Sequence, residues 1–110
     1  MAHYMIRWQF SQASAKSFVA KPQDRTRPAQ EIIESFGGKM LNYYFALGEF
    51  DGLAICEFPD NTTVTAASLL LASSGAFNRF ETVPLITAQE AEAAMKKANA
   101  KSGTYKAPNA

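Results

Sequence analysis

The chain has 110 residues, 47% hydrophobic and 19% charged, with a formal net charge of +1. That length fits one domain with enough apolar surface for a core, and the near-neutral balance carries no electrostatic footprint for nucleic acid or a membrane surface. A single cysteine excludes an internal disulfide and one histidine beside it is too few for a zinc site, so neither a cofactor nor a metal is expected and a reducing, cytoplasmic setting is the default. Arg7 and Gln9 interrupt the only apolar run near the start, which argues against a signal peptide, and no run approaches the roughly 18 residues of a membrane span.

His3–Ser11 alternates, with Tyr4, Ile6, Trp8 and Phe10 on one side and Met5, Arg7 and Gln9 on the other, the period of a half-buried strand. Residues 12–36 read as one helical region interrupted at Asp24–Arg27. Pro22 closes its first part, and Ala29, Ile32, Ile33 and Phe36 form one apolar stripe in its second. Gly37-Gly38 ends it, because glycine takes the left-handed conformation of a C-terminal cap.

Lys39–Leu47 and Gly52–Phe58 are the next strands, joined at the turn Gly48-Glu49-Phe50-Asp51 into a hairpin. Pairing Leu47 with Gly52 puts Leu41, Tyr43, Phe45, Ala54, Cys56 and Phe58 on one face. Asp60 is placed to cap a helix that is apolar on most sides through Leu70 and Leu71 and therefore expected to be well buried. Phe77–Ile86 is a fourth strand, which Pro84 consigns to an edge. Thr87-Ala88-Gln89-Glu90 is a capping box opening a last helix to about Ala98. Residues 1–98 thus form one domain, and 99–110, polar and without an acid, a flexible tail in which the lysines serve solubility.

The resulting order is an α+β, ferredoxin-like βαββαβ unit with an added C-terminal helix: a four-stranded antiparallel sheet in the order 4-1-3-2, helices on one face. The other face would show Met5, Arg7, Tyr44, Leu53, Ile55, Glu57, Arg79 and Val83. So much apolar content on an uncovered face predicts a homodimer packed sheet to sheet, its charged members pairing across the two-fold axis.

Arg25, Gly37-Gly38-Lys39, Tyr43-Tyr44, Gly48-Glu49-Phe50-Asp51 and Glu57-Phe58-Pro59-Asp60 together resemble the GYD-domain family of small bacterial proteins over about residues 3–97. The chain departs from the family pattern at Phe50, where the family name implies tyrosine, and near Gln12–Ser14. The resemblance implies a dimeric α/β barrel. Several relatives in that superfamily are cofactor-free monooxygenases, isomerases or haem enzymes with a small-molecule pocket between sheet and helices.

For such a pocket the ligand-binding candidates are Arg25, Tyr43, Asp51 and Trp8, and the ligand a small apolar or aromatic molecule. Arg25, like Arg27 near it, could hold a carboxylate or phosphate in bidentate fashion, or equally form a salt bridge or contact helix-end carbonyls. Tyr43, Trp8 and Phe80 could line an apolar cavity or simply fill the core. Asp51 and Glu49 offer two carboxylates, although an aspartate in a turn more often bonds nearby backbone. His3 is read as solvated and Cys56 as core packing. Two functions fit: a dimeric enzyme without a tightly bound cofactor, and a non-enzymatic dimeric module that senses a ligand or supports assembly.

Overall fold

The structure is a computed structural model and describes residues 1–109. Its elements are β1 (Ala2–Phe10), α1 (Gln12–Ala20), α2 (Thr26–Ser35), β2 (Lys39–Phe45), β3 (Gly52–Phe58), α3 (Asn61–Ala72), β4 (Phe77–Leu85) and α4 (Ala88–Ala100). The sheet runs β2-β3-β1-β4 with every pair antiparallel, the expected order and a ferredoxin-like α+β fold. The helical region breaks at 21–25, so Arg27 lies in the first turn of α2 rather than in the break.

Local chemistry accounts for the element ends. The Asp60 carboxylate accepts from the Thr63 backbone N–H and starts α3. Thr87 and Glu90 form the reciprocal capping box at α4. At the end of α2, Gly37 takes φ 76°, which lets Gly37 N–H reach Glu34 O and Gly38 N–H reach Ile33 O. These two bonds satisfy carbonyls that the last helical turn leaves open.

The core lies between the sheet and α2 and α3. Tyr4, Ile6 and Trp8 of β1 and Ala54, Cys56 and Phe58 of β3 meet Ile33 of α2 and Val64 and Ala67 of α3. α1 stands beside it, with the Phe18 ring 4.8 Å from that of Phe10. α4 buries no side chain and continues to Ala100, past the expected end at Ala98.

Three expectations are corrected. The hairpin register is displaced by two: Phe45, not Leu47, pairs with Gly52, and Tyr43 pairs with Ala54. Strand β2 therefore stops at Phe45 and the connection spans 46–51, closed by the bond from Ala46 N–H to Asp51 O. An irregularity between Met40 and Asn42 also turns Met40 toward the core in place of Leu41. Leu41 and Phe45 are exposed, so the inner face is narrower than alternation implied. Finally, α3 buries only Val64 and Ala67 completely, while Leu69 and Leu70 are exposed. The helix packs on β3 and β4, and its apolar circumference exceeds the surface available to cover it.

Candidate functional site

A cavity of about 440 Å³ lies between the sheet and the pair α1–α2. Ile6, Trp8 and Ala54 of the sheet form its floor and Ile33 of α2 lines the helix side, all four buried. Phe10, Phe18, Tyr43, Phe77 and Phe80 form its walls, and Ser17, Gln23 and Arg25 its more exposed rim. The aromatic wall is continuous: Trp8 and Tyr43 have ring centroids 5.4 Å apart, Phe10 and Phe77 5.7 Å, and Phe77 and Phe80 5.2 Å. A mostly apolar concavity of this size with a few polar groups is the usual form of a small-molecule site.

Tyr43 and Arg25 are among the polar groups of the lining. Burial pushes the Tyr43 hydroxyl above its ordinary pKa of 10.0, with the Arg25 guanidinium opposing the shift, so the group is a protonated donor at neutral pH. Arg25 is half-buried at the start of α2, and its Nη1 donates to Gln23 Oε1 at 2.9 Å. Trp8 contributes its ring face only. Its Nε1 is shut off from solvent without a hydrogen-bond partner, and a Cβ placed on Gly52 would lie 2.8 Å from that nitrogen. The N–H is packed against β3, out of a ligand's reach.

The structure thus brings Arg25, Tyr43 and Trp8 together in one cavity and sets Asp51 apart from it. The Asp51 carboxylate accepts from Phe10 N–H at 2.8 Å, and its own N–H donates to Trp8 O at 2.8 Å. It staples the 46–51 connection to the end of β1. Arg27 is exposed and pairs with Glu31 one turn along α2 at 3.5 Å.

Other candidate acids and bases also have structural partners. His3 Nε2 lies 3.3 Å from Glu57 Oε1. Cys56 is fully buried, and burial raises its thiol pKa to about 12. No group of three or more histidine, cysteine, aspartate or glutamate side chains among the described residues is arranged to hold a metal ion.

On the uncovered face, Met5, Arg7, Leu53, Ile55, Glu57, Arg79 and Val83 share one side of the sheet through the pairs Met5–Ile55, Met5–Val83, Arg7–Leu53 and the Tyr44–Leu53 contact of β2. The charged members of this face also have partners within the chain. Arg7 Nε meets Glu81 Oε2 at 2.6 Å, Arg79 meets Glu49, and Glu57 meets His3. The Phe50 ring folds back between the two arginines, with Arg7 Cζ 4.1 Å and Arg79 Cζ 4.8 Å from its centroid. It is 9% exposed. The fold-back of Phe50 goes beyond the turn position expected for it. The signal was present, because a large apolar ring in a turn of Gly, Glu and Asp has a strong reason to fold back onto the sheet.

A family model described as the GYD domain matches residues 4–95. The chain belongs to the GYD-domain family. The Gly48-Glu49-Phe50-Asp51 segment accordingly has a definable structural role in this member: Glu49 and Phe50 engage the arginines of the outer sheet face while Asp51 fastens β1. A crystal structure titled MtbAldR shares the fold at TM-score 0.57 and 15% identity, matching 78% of this chain. This chain spans about half of it, 53% of its length. No curated protein matches. No helix among the described residues is long and apolar enough to cross a membrane.

Proposed function

We propose that this GYD-domain protein is a homodimeric small-molecule-binding module whose ligand occupies the cavity between the sheet and α1–α2. The aromatic cavity carries the reading: about 440 Å³ of space with apolar walls, and Tyr43 and Arg25 at its polar end. The carboxylates and the thiol that could perform chemistry have other roles, as caps, staples, ion-pair partners or core. Binding is therefore better supported than turnover. An enzymatic version, working without a tightly bound cofactor, would rest on Tyr43 and Arg25 alone.

The homodimer rests on the outer face, where Met5, Leu53, Ile55 and Val83 lie together and stay partly exposed. With Arg7 paired to Glu81 and Arg79 to Glu49 inside the chain, that face meets a copy of itself with its arginines already matched. The buried free thiol of Cys56 suits a cytoplasmic setting.

The only tryptophan, Trp8, lies in the cavity floor and reports occupancy directly. A screen of small apolar and aromatic compounds should change its emission saturably, and Ala29→Phe, which narrows the cavity, should weaken every hit. Hits indifferent to Ala29→Phe would contradict the cavity site. For the dimer, sedimentation should show two copies for the wild type and a shift toward monomer for Leu53→Glu. A monomeric wild type would overturn it.

A further inference from the structure

Of the four arginines, Arg7, Arg27 and Arg79 each pair with a carboxylate, whereas Arg25 has no carboxylate within 4.0 Å among the described residues. Its side-chain hydrogen bond goes to the neutral amide of Gln23. Among the described residues, Arg25 is also the one charged side chain lining the cavity. A guanidinium has five donors in a planar fork, and most of this one is uncommitted. We infer that the ligand is a small aromatic or apolar monocarboxylic acid, its carboxylate taken by Arg25 and the Tyr43 hydroxyl and its ring or chain lying on Trp8 and the phenylalanine wall. This rests on the cavity being the binding site.

Charge matching selects the class. Arg25 is the one charge in the lining among the described residues, since nearby Asp24 lies outside it and accepts from Thr26 N–H. One positive charge beside apolar walls balances one negative charge, and a second unpaired charge would carry a large desolvation cost. A phosphate monoester carries about −1.5 to −2 at neutral pH and takes several donors, while the cavity offers a single cation and no glycine-rich loop. A cationic ligand would meet Arg25 with like charge. A neutral aromatic molecule would gain the walls but leave the guanidinium unused. The Tyr43 hydroxyl, a cavity-lining group protonated at neutral pH, is the donor to the second carboxylate oxygen.

The test uses 2-naphthoate and its neutral isostere 2-naphthamide, titrated by calorimetry into the full chain and into Arg25→Gln and Arg25→Lys. Thermal melts verify that the variants fold. The acid should bind the wild type on the order of ten- to a hundredfold tighter than the amide, the usual worth of hydrogen bonds to a charged group. Arg25→Gln should abolish that preference while leaving the amide affinity within about threefold, and Arg25→Lys, a point charge without the fork, should retain part of it. Equal affinity for acid and amide, or a preference that survives Arg25→Gln, overturns the carboxylate inference and leaves the cavity reading standing. If neither compound binds and the Trp8 emission is unchanged, both fall.

Discussion

Gly52→Ala is the sharpest probe of how the cavity floor is held. Gly52 opens β3 opposite Trp8 on one side and Phe45 on the other. A Cβ there would lie 2.5 Å from Trp8 Cζ2 and 2.6 Å from Cε2, distances that no real packing sustains. The indole is 6% exposed and wedged against Tyr43 and Phe77, so it has no free direction in which to yield except into the cavity. Overpacking of this kind costs about 1–3 kcal/mol. For a domain of this size that lowers Tm by roughly 5–15 °C. Gly48→Ala is the control: nothing lies within 4 Å of its added Cβ, and Tm should stay within a few degrees, since an open substitution acts mainly on the unfolded chain. Differential scanning calorimetry gives both numbers, and the emission maximum of the sole tryptophan shows whether the ring has moved. A Gly52→Ala protein with wild-type Tm and wild-type emission would refute the close approach.

Asp51→Ala should destabilise by about 1–3 kcal/mol in urea unfolding, because Phe10 N–H loses a charged acceptor, yet change ligand affinity little, since the carboxylate is outside the cavity. Asp51→Asn, which keeps an acceptor oxygen, should lose less. Hydrogen bonds from Thr63 hold the Asp60 carboxyl below its ordinary 3.8, and the Arg79 bond holds Glu49 below 4.5. Protons thus bind the unfolded chain more readily, so this stability is complete above those ordinary values and lost as pH falls through the lower folded ones. Melts from pH 7 to pH 2 should show it, with a shallower acid limb for Asp60→Asn; an unchanged limb would exclude a contribution from Asp60. The Cys56 thiol, raised by burial to about 12, should resist iodoacetamide at pH 8 in the native protein and react fully in denaturant, as mass spectrometry would show.

Much of the fold was legible because each element carried its own local signal. The alternation of Tyr4, Ile6 and Trp8 against Met5 and Arg7 specified both β1 and its two faces. Asp60, Thr87 and Glu90 marked helix starts by chemistry confined to one turn, and Gly37-Gly38 marked a helix end by backbone freedom. The hairpin register was less legible, since Leu47–Gly52 and Phe45–Gly52 preserve the same two-residue period. What decided between them is a long-range lock, Asp51 to Phe10 and Trp8, together with the fold-back of Phe50 between Arg7 and Arg79. The fate of Leu69 and Leu70 was equally hidden, because apolar residues on a helix specify what can be buried and not how much sheet is there to bury it.

For the cavity, Trp8, Tyr43 and Arg25 emerged from residue type and facing, and their convergence came from α2 starting at Thr26, which leaves Arg25 at the helix entrance beside β2. That Arg25 alone among the arginines has no acid partner among the described residues depends on where Glu49 and Glu81 fall in three dimensions, while the Arg27–Glu31 pair is local to α2.

The most direct measurement is a ¹H–¹⁵N correlation spectrum of the full chain titrated with 2-naphthoate, following the single indole N–H of Trp8 and the side-chain Nε–H of Arg25. Saturable shifts of both signals at one dissociation constant, with the outer-face residues Leu53 and Ile55 unmoved, are the predicted result. Shifts confined to the outer face, or an indole signal that never moves, would contradict a ligand site between the sheet and α1–α2.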